Sequence, residues 1–426
     1  MAVITVDQQK LVMNAFAAVF QNNLLAKDLV EWKQYNTEMS DLNGLKVSEQ
    51  VGPRYNVTRT TSGVNDLTSG VQDSVFGSEQ FVVQDVFGAS MGWDDFVKIR
   101  DIGDARESVA LKNAATNLAE QIDAYILKTA TLAANNEVGT VGNNVATYAD
   151  VLTAYTRLKK EGVDDSDLRM VLSYDDKQAL ATTIVAYTAT DSLSTGTFRK
   201  GFEGEIAGLP TMFTQQLGNI TPGTHTAGTV NGASQNVNYS AVAVSGAPGQ
   251  YMTSTLILAG QGASATIVDG EIFTLPTVFA YDNRLQANMI HLQQFRVVGA
   301  VTADGAGAAT VRIFPAIIIP NGGANTAHAT VSNAPANAAV PTWRGTASVA
   351  YKPRVLIQKQ AIVVNTADLI MPASGTARRQ SLTQVPASIR MWQDSTFVTG
   401  KHQVRFDLAL TANVRDRRRI VRLNGA

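Results

Sequence analysis

A chain of 426 residues, 45% of them apolar and 17% charged, has room for two or three packed domains, which excludes global disorder. Lys and Arg number 35 against 36 Asp and Glu, for a net charge of -1 and a pI near 6.4, so neutralising nucleic-acid phosphates is not expected to be the main work. The chain has no cysteine, which excludes disulfides, thiol catalysis and cysteine-based zinc sites.

Met1–Lys10 lacks the basic-then-apolar pattern of a signal peptide. The most apolar short run, Ile313–Ile319, is far below the ~20 residues of a membrane span. A soluble chain made inside the cell is expected. Asp7 can cap a first helix whose apolar face is Leu11, Val12, Ala15, Phe16, Val19 and Phe20, continued by Leu24, Leu25, Leu29 and Val30. From Asn43 to about Gly77 the chain is rich in Gly, Ser and Thr and poor in large apolar side chains. It can form strands but no core of its own, as suits a long flap lying on another domain or subunit.

The clearest element is a helix from Asp101 to about Ala134. Ile102, Ala105, Val109, Ala115, Leu118, Ile122, Ile126, Ala130 and Ala133 keep a helical period, Asp101 or Asp104 can cap the start, and Asn135, Asn136 and Gly139 end it. Its predicted length is ~50 Å at about 1.5 Å per residue. A compact α/β segment follows: a helix from Thr147 or Asp150 through Lys160, a buried strand Leu168–Ser173, a helix capped by Asp175–Asp176, and a short strand Leu209–Phe213.

From Leu217 to Val268 there is no Asp, Glu, Lys or Arg, and no Lys lies between Lys200 and Lys352. Turn pairs such as Pro222-Gly223, Asn231-Gly232 and Pro248-Gly249 separate strand-like runs at Val237–Val244, Leu256–Ala259 and Ala265–Val268. A hairpin is predicted between Phe295–Val301 and Ala309–Ile319 around the turn 303–307. This pattern favours a small folded β-barrel or sandwich over disorder. After Trp343 helical or mixed character is expected to return. Val355–Val364, Ile389–Gln393 and Gln403–Val414 read as strands.

Catalytic signals are few. Gly88-Ala89-Ser90-Met91-Gly92 is a G-x-S-x-G pattern after an apolar run, before a possible helix at Trp93–Lys98. A serine hydrolase would use Ser90 with His291 or His402; a flexible turn at the root of the flap is the plainer reading. The histidines His225, His291, His328 and His402 are isolated and show no metal-ligand spacing. Asp94–Asp95 and Asp164–Asp165 read as caps or exposed turns rather than cation ligands. Arg415, Arg417, Arg418, Arg419 and Arg422 form the densest charge run. Asp416 and the near-zero net charge favour a subunit interface with salt bridges over phosphate binding, so any DNA contact is expected to be weak and sequence-independent.

The order of these parts resembles the major capsid (coat) proteins of tailed double-stranded DNA phages, the Hong Kong 97-type fold. LRMVLSYDDKQAL and FRKGFEGEIAGLPTMFTQQL resemble the axial (A) domain. The stretch from Gly270 to Ile317 resembles the extra insertion domain of the P-twenty-two-like podophage coat branch. RVLIQKQAIVVNTADLIMP resembles the return into the axial domain, and the stretch from Ser388 to Leu423 the C-terminal strands of the peripheral (P) domain. The resemblance implies an α+β chain with an N-terminal arm at 1–42, an E-loop flap at 43–85 and a P-domain with a spine helix at 86–137. It further implies A-domain at 138–216, an inserted small all-β barrel at 217–345, A-domain again at 346–388 and P-domain strands at 389–426. The implied function is self-assembly, through pentamers and hexamers, into an icosahedral phage head built in the bacterial host cytoplasm and enclosing the genome. A separate scaffolding protein, a portal protein and packaged double-stranded DNA are the implied partners, with no membrane, no cofactor, no metal and no catalysis. Lys46, near the flap base, is the one lysine there, and covalent cross-linking is not expected. A surface β adhesin is the other alternative, suggested by the Thr- and Asn-rich block.

Overall fold

The computed structural model describes residues 6–39, 45–51, 55, 77–93, 109–187, 204–239, 252–372, 376–395 and 402–426. Its architecture is mixed α+β, with three six-stranded sheets among the described residues. In the first sheet the strand order is Glu31–Met39, Ile362–Leu369, His402–Val414, Ser388–Ser395 and Thr376–Ser381, and Val86–Trp93 also pairs with His402–Val414. That 13-residue strand is long enough to serve three partners.

Two helices cover this sheet. The long helix is described over Val109–Ala133 and at 25 residues spans ~37 Å. Its buried Leu111, Ala115, Leu118, Ile122, Ile126 and Ala130 recur three or four apart, one stripe facing the core. The expected caps Asp101 and Asp104 lie outside the described residues. The first helix, Val6–Asn23, lays Val12, Met13, Phe16 and Phe20 into the same core, where Phe16 stacks on Phe406 at 3.9 Å. The apolar face expected of the first helix is thus buried. A face that apolar finds its partner in its own subunit.

The link after the first helix is pinned by a carboxylate of the long helix. Asp123 accepts from Leu25 N at 2.9 Å and Ala26 N at 2.8 Å and is only 2% exposed. Burial outweighs these bonds and pushes its pKa up to about 6. A carboxyl whose pKa is higher folded than unfolded favours the native state most at low pH, and that favour is lost as pH rises through the folded value. Between its ordinary value of 3.8 and about 6 the loss is about 3 kcal/mol. In Asp123→Asn this titration is gone. Relative to wild type, the variant is expected to gain stability in urea unfolding as pH goes from 4 to about 6.5, and a difference flat across that range would refute the assignment.

The second sheet runs Asn136–Val138, Ile420–Leu423, Arg354–Gln358, Leu168–Leu172, Leu209–Phe213 and Gly204–Ile206. Helix Tyr148–Lys160 starts at a capping box between Thr147 and Asp150, as the sequence indicates. Helix Tyr174–Tyr187 follows Ser173, whose hydroxyl accepts from Asp176 N while Asp176 accepts from Ser173 N. Asp176 also binds Arg354 at 2.6 Å, tying this helix to the sheet.

Three expectations are corrected here. Val355–Val364 is not one strand: a 3-10 turn at Lys359–Ala361 breaks it, sending Arg354–Gln358 to the second sheet and Ile362–Leu369 to the first. No α-helix follows Trp343 among the described residues. The C-terminal strands also divide, since Ile420–Leu423 leaves the first sheet to pair with Arg354–Gln358 and Asn136–Val138.

The middle of the chain forms the third sheet, in the order Thr342–Trp343, Ile272–Asp282, Ala287–Val297, Ala309–Phe314, Ser254–Ala259 and Thr229–Val230. It closes over its own core, including Leu256, Leu258, Phe273, Phe295, Val311 and Ile313. Its two ends meet: Val230 N donates to Ala339 O at 2.9 Å, and Trp343 Nε1 to Ala227 O at 3.1 Å. The main hairpin is Ile272–Val297, and the predicted pairing stands beside it, with Arg296 and Val297 opposite Phe314 and Ile313. The predicted turn at 303–307 exists, with Gly307 N on Asp304 O at 3.0 Å, but Val301–Thr302 pairs with Thr266–Ile267 instead of across that turn. Most of the uncharged block is thus folded around apolar side chains; residues 240–251 of it, including much of the predicted strand Val237–Val244, lie outside the described residues.

The base of the flap is a hairpin of Leu45–Val51 with Gly77–Val83, a two-stranded sheet. Phe81 and Val83 are buried, and Lys46 is exposed.

Candidate functional site

The second and third sheets meet where the long helix ends. A helix C-terminus leaves carbonyls without intrahelical donors and carries partial negative charge. Two arginines from distant parts of the chain meet it. Arg422, on the last strand, donates from Nε to Thr131 O at 2.7 Å and from Nη2 to Leu132 O at 3.4 Å and to Gly270 O at 2.6 Å. Arg296, on the main hairpin of the third sheet, donates from Nε to Leu132 O and from Nη2 to both oxygens of Asp269 at 3.0 Å.

Glu137 supplies the counter-charge. Its carboxylate lies 3.5 Å from Arg422 Nη1 and accepts from Tyr351 OH at 3.2 Å and Asn424 Nδ2 at 2.8 Å. Both Glu137 and Arg422 are fully buried. Gln294 reads the Glu137 backbone as a neighbouring strand would: its Oε1 accepts from Glu137 N and its Nε2 donates to Glu137 O, each at 2.8 Å. Gly270 fits here only as glycine. Its φ is +88°, and a Cβ would stand 3.0 Å from Leu132 O and 3.2 Å from Arg422 Nη2. Burial pulls Arg296 down to about 9, against the pull of Asp269. Burial and then the Glu137 charge push the Tyr351 hydroxyl up, so it stays a hydrogen-bond donor.

The arginine run divides on this joint. Arg422 belongs inside its own subunit and so is removed from the expected inter-subunit set: at 0% exposure its side chain offers nothing to a neighbour. Arg417 is 9% exposed, with its guanidinium 5.1 Å over the Phe314 ring, and is removed for the same reason. Arg418 and Arg419 grip Asp416 at 3.1 and 3.3 Å. Burial alone would raise Asp416, but these two guanidiniums hold it below the usual carboxylate range. Arg415 reaches Glu31 at 4.0 Å and keeps half its side chain in solvent.

Glu137, Gln294 and Arg296 do not stand out in the sequence as a site. One signal was available. Between Lys200 and Lys352 the cations other than histidine are Arg284, Arg296, Arg312 and Arg344, and three of these cross to other parts of the chain. Arg284 donates to Gly162 O at 3.2 Å, Arg296 to Leu132 O, and Arg344 to Gly139 O at 3.3 Å.

The other candidates do not gather into a centre. Ser90 lies inside strand Val86–Trp93, paired with Arg405 and exposed, so the strand–turn–helix elbow a serine nucleophile needs is replaced by continuous β-structure. His225 binds Glu271. Burial disfavours its charge, but the Glu271 carboxylate prevails and raises its pKa. His328 stacks on Tyr239 at 3.9 Å, His402 pairs with Trp93 in the first sheet, and His291 lines a cleft beside Arg157 and Lys160. No group of three or more potential metal ligands occurs among the described residues. Asp165 accepts from Tyr155 OH at 2.7 Å and pairs with Lys159 in an exposed turn, while Asp94–Asp95 lie outside the described residues. No described helix is long and apolar enough to cross a membrane.

This site is a joint that ties the long helix to the second and third sheets. The family described as P22 coat protein - gene protein 5 matches residues 1–420. No curated protein matches the chain in sequence. Among solved structures, the capsid of cyanophage P-SCSP1u is similar at 9% identity and a TM-score of 0.43, covering 95% of this chain and 88% of that one. The mature capsid of bacteriophage PhiM1 is similar at 9% identity and a TM-score of 0.43, covering 94% and 86%. Membership rests on the family match, which covers residues 1–420 of the 426: the chain belongs to the P22 coat protein family and is a structural major capsid protein of a tailed phage.

Proposed function

We propose that this coat subunit has a Hong Kong 97-type layout and builds an icosahedral head with the help of a separate scaffolding protein, without any catalytic step of its own. The first sheet and the long helix act as the P-domain, the second sheet with its helices as the A-domain, and residues 217–345 as an inserted barrel domain. Pentamers and hexamers arise from heterologous contacts that close into rings. Arg415, Arg418 and Arg419, which keep a third to a half of their side chains exposed, lie on an inter-subunit face. The portal protein and weakly held double-stranded DNA are the further partners, and assembly takes place in the host cytoplasm.

The observation that carries this reading is the flap. Leu45–Val51 and Gly77–Val83 pair with each other and with no third strand among the described residues. Such a ribbon presents open backbone edges that a neighbouring copy can extend. Electron microscopy of the expressed chain, alone and with a scaffolding partner, is expected to show shells, tubes or polyheads. A strictly monomeric species under both conditions would sink the proposal.

A further inference from the structure

A cleft of about 590 Å³ separates the helix Tyr148–Lys160 from the third sheet. One wall is a single face of that helix, where Thr153, Thr156, Arg157 and Lys160 recur three or four residues apart. The opposite wall carries His291, on the main hairpin, and Arg344, just after the last strand of that sheet. Three permanent cations and an imidazole thus line one space. The one acid lining it, Glu137, is already engaged with Arg422, Tyr351 and Asn424.

The cations are only partly used. Arg157 directs Nε and Nη2 at Asn136 Oδ1, at 2.9 and 2.7 Å, and Nη2 also reaches Glu161 at 3.4 Å; its Nη1 bonds to no described residue. Arg344 has one bond, from Nη1 to Gly139 O, so its Nε and Nη2 bond to no described residue. Lys160 is exposed. The Nε2 atom of His291 is buried with no hydrogen-bond partner among the described residues. Burial, then the charges of Arg157 and Lys160, push His291 down to about 4, and Arg344 works against the charge of Arg157. A field that resists a fourth positive charge favours an incoming anion.

We propose that this cleft is a binding site for a phosphate-class oxyanion, held by Arg157, Lys160 and Arg344 and bridging the helix to the third sheet. Guanidinium forks suit the oxygens of phosphate, and the threonine hydroxyls of the helix face can complete the set. The phosphate can come from a free phosphate ester or from a nucleic-acid backbone, and the two share this chemistry.

Calorimetric titration of the full-length subunit with inorganic pyrophosphate, at constant ionic strength set with chloride, tests the site. Binding is expected, and Lys160→Glu is expected to weaken it at least about tenfold. Lys112→Glu, the same charge change at an exposed position on the long helix, should stay within about twofold of wild type. Pyrophosphate should also raise the His291 pKa in NMR titration, because a bound anion offsets the Arg157 and Lys160 charges. Displacement of pyrophosphate by a dodecanucleotide assigns the site to backbone phosphates, and retention assigns it to a free phosphate ester. No binding above the chloride background, or equal losses in the two lysine variants, overturns the proposal.

Discussion

Arg422→Ala is expected to destabilise the isolated subunit by about 3 to 5 kcal/mol, the usual range for breaking a buried ion pair from one side. The size follows from what is left behind. Glu137 stays fully buried with its charge and only the Tyr351 and Asn424 bonds to hold it. Thr131 O and Gly270 O, and with them the end of the long helix, lose their donor. Because Arg422 touches the long helix, the second sheet and the entry to the third sheet together, the loss should appear in urea unfolding of the monomer before any effect on assembly. Arg422→Lys should recover only part, since an ammonium cannot span Thr131 O, Gly270 O and Glu137 as a planar fork does. Arg415→Ala, in the same run but half-exposed, should cost less than about 1 kcal/mol. Equal effects of Arg415→Ala and Arg422→Ala would show that the joint carries no special stability.

The contrast between those arginines shows where the sequence could be read and where it could not. Local physics was legible: the stripe on the long helix, the Thr147–Asp150 capping box and the Asp304 turn all appear where spacing and turn chemistry place them. The family resemblance reached the whole chain in the same way, through the order of such elements. Long-range pairing was not legible. Nothing local in VLIQKQAIVV marks the three residues, Lys359–Ala361, at which the chain leaves one sheet for another. Nor does the Ile420–Leu423 strand announce partners nearly 70 and 290 residues back, at Arg354–Gln358 and Asn136–Val138. Five arginines within eight residues, 415–422, look alike as a charge run, yet the turn sends Arg417 inward and leaves Arg415, Arg418 and Arg419 near solvent, while Arg422 sits on a strand buried at every position. Composition did carry one long-range hint. In a stretch so poor in charge, a buried arginine must offset its desolvation, and Arg296 and the partly buried Arg344 do so by binding carbonyls of distant parts of the chain.

The first helix supplies the second large effect. Phe16→Ala is expected to cost about 3 to 5 kcal/mol, the range for truncating a fully buried aromatic side chain. Phe16 is 1% exposed, stacks on Phe406 from the central strand of the first sheet, and shares a core with Phe20, Leu118 and Ile122. A void there cannot be filled from solvent, and the sheet beneath is held on both sides by paired strands, so collapse around it is limited. The experiment separates two roles for this segment. If the helix is part of the subunit core, Phe16→Ala lowers the urea midpoint of the monomer, while Val109→Ala, 70% exposed at the start of the long helix, leaves it unchanged. If the helix instead worked as an arm on a neighbouring subunit, the monomer would be indifferent to Phe16→Ala and only assembled shells would weaken. The Asp123 clamp on Leu25 N and Ala26 N argues for the first outcome, because a buried carboxylate that orients two backbone amides fixes the helix to its own long helix before any neighbour arrives.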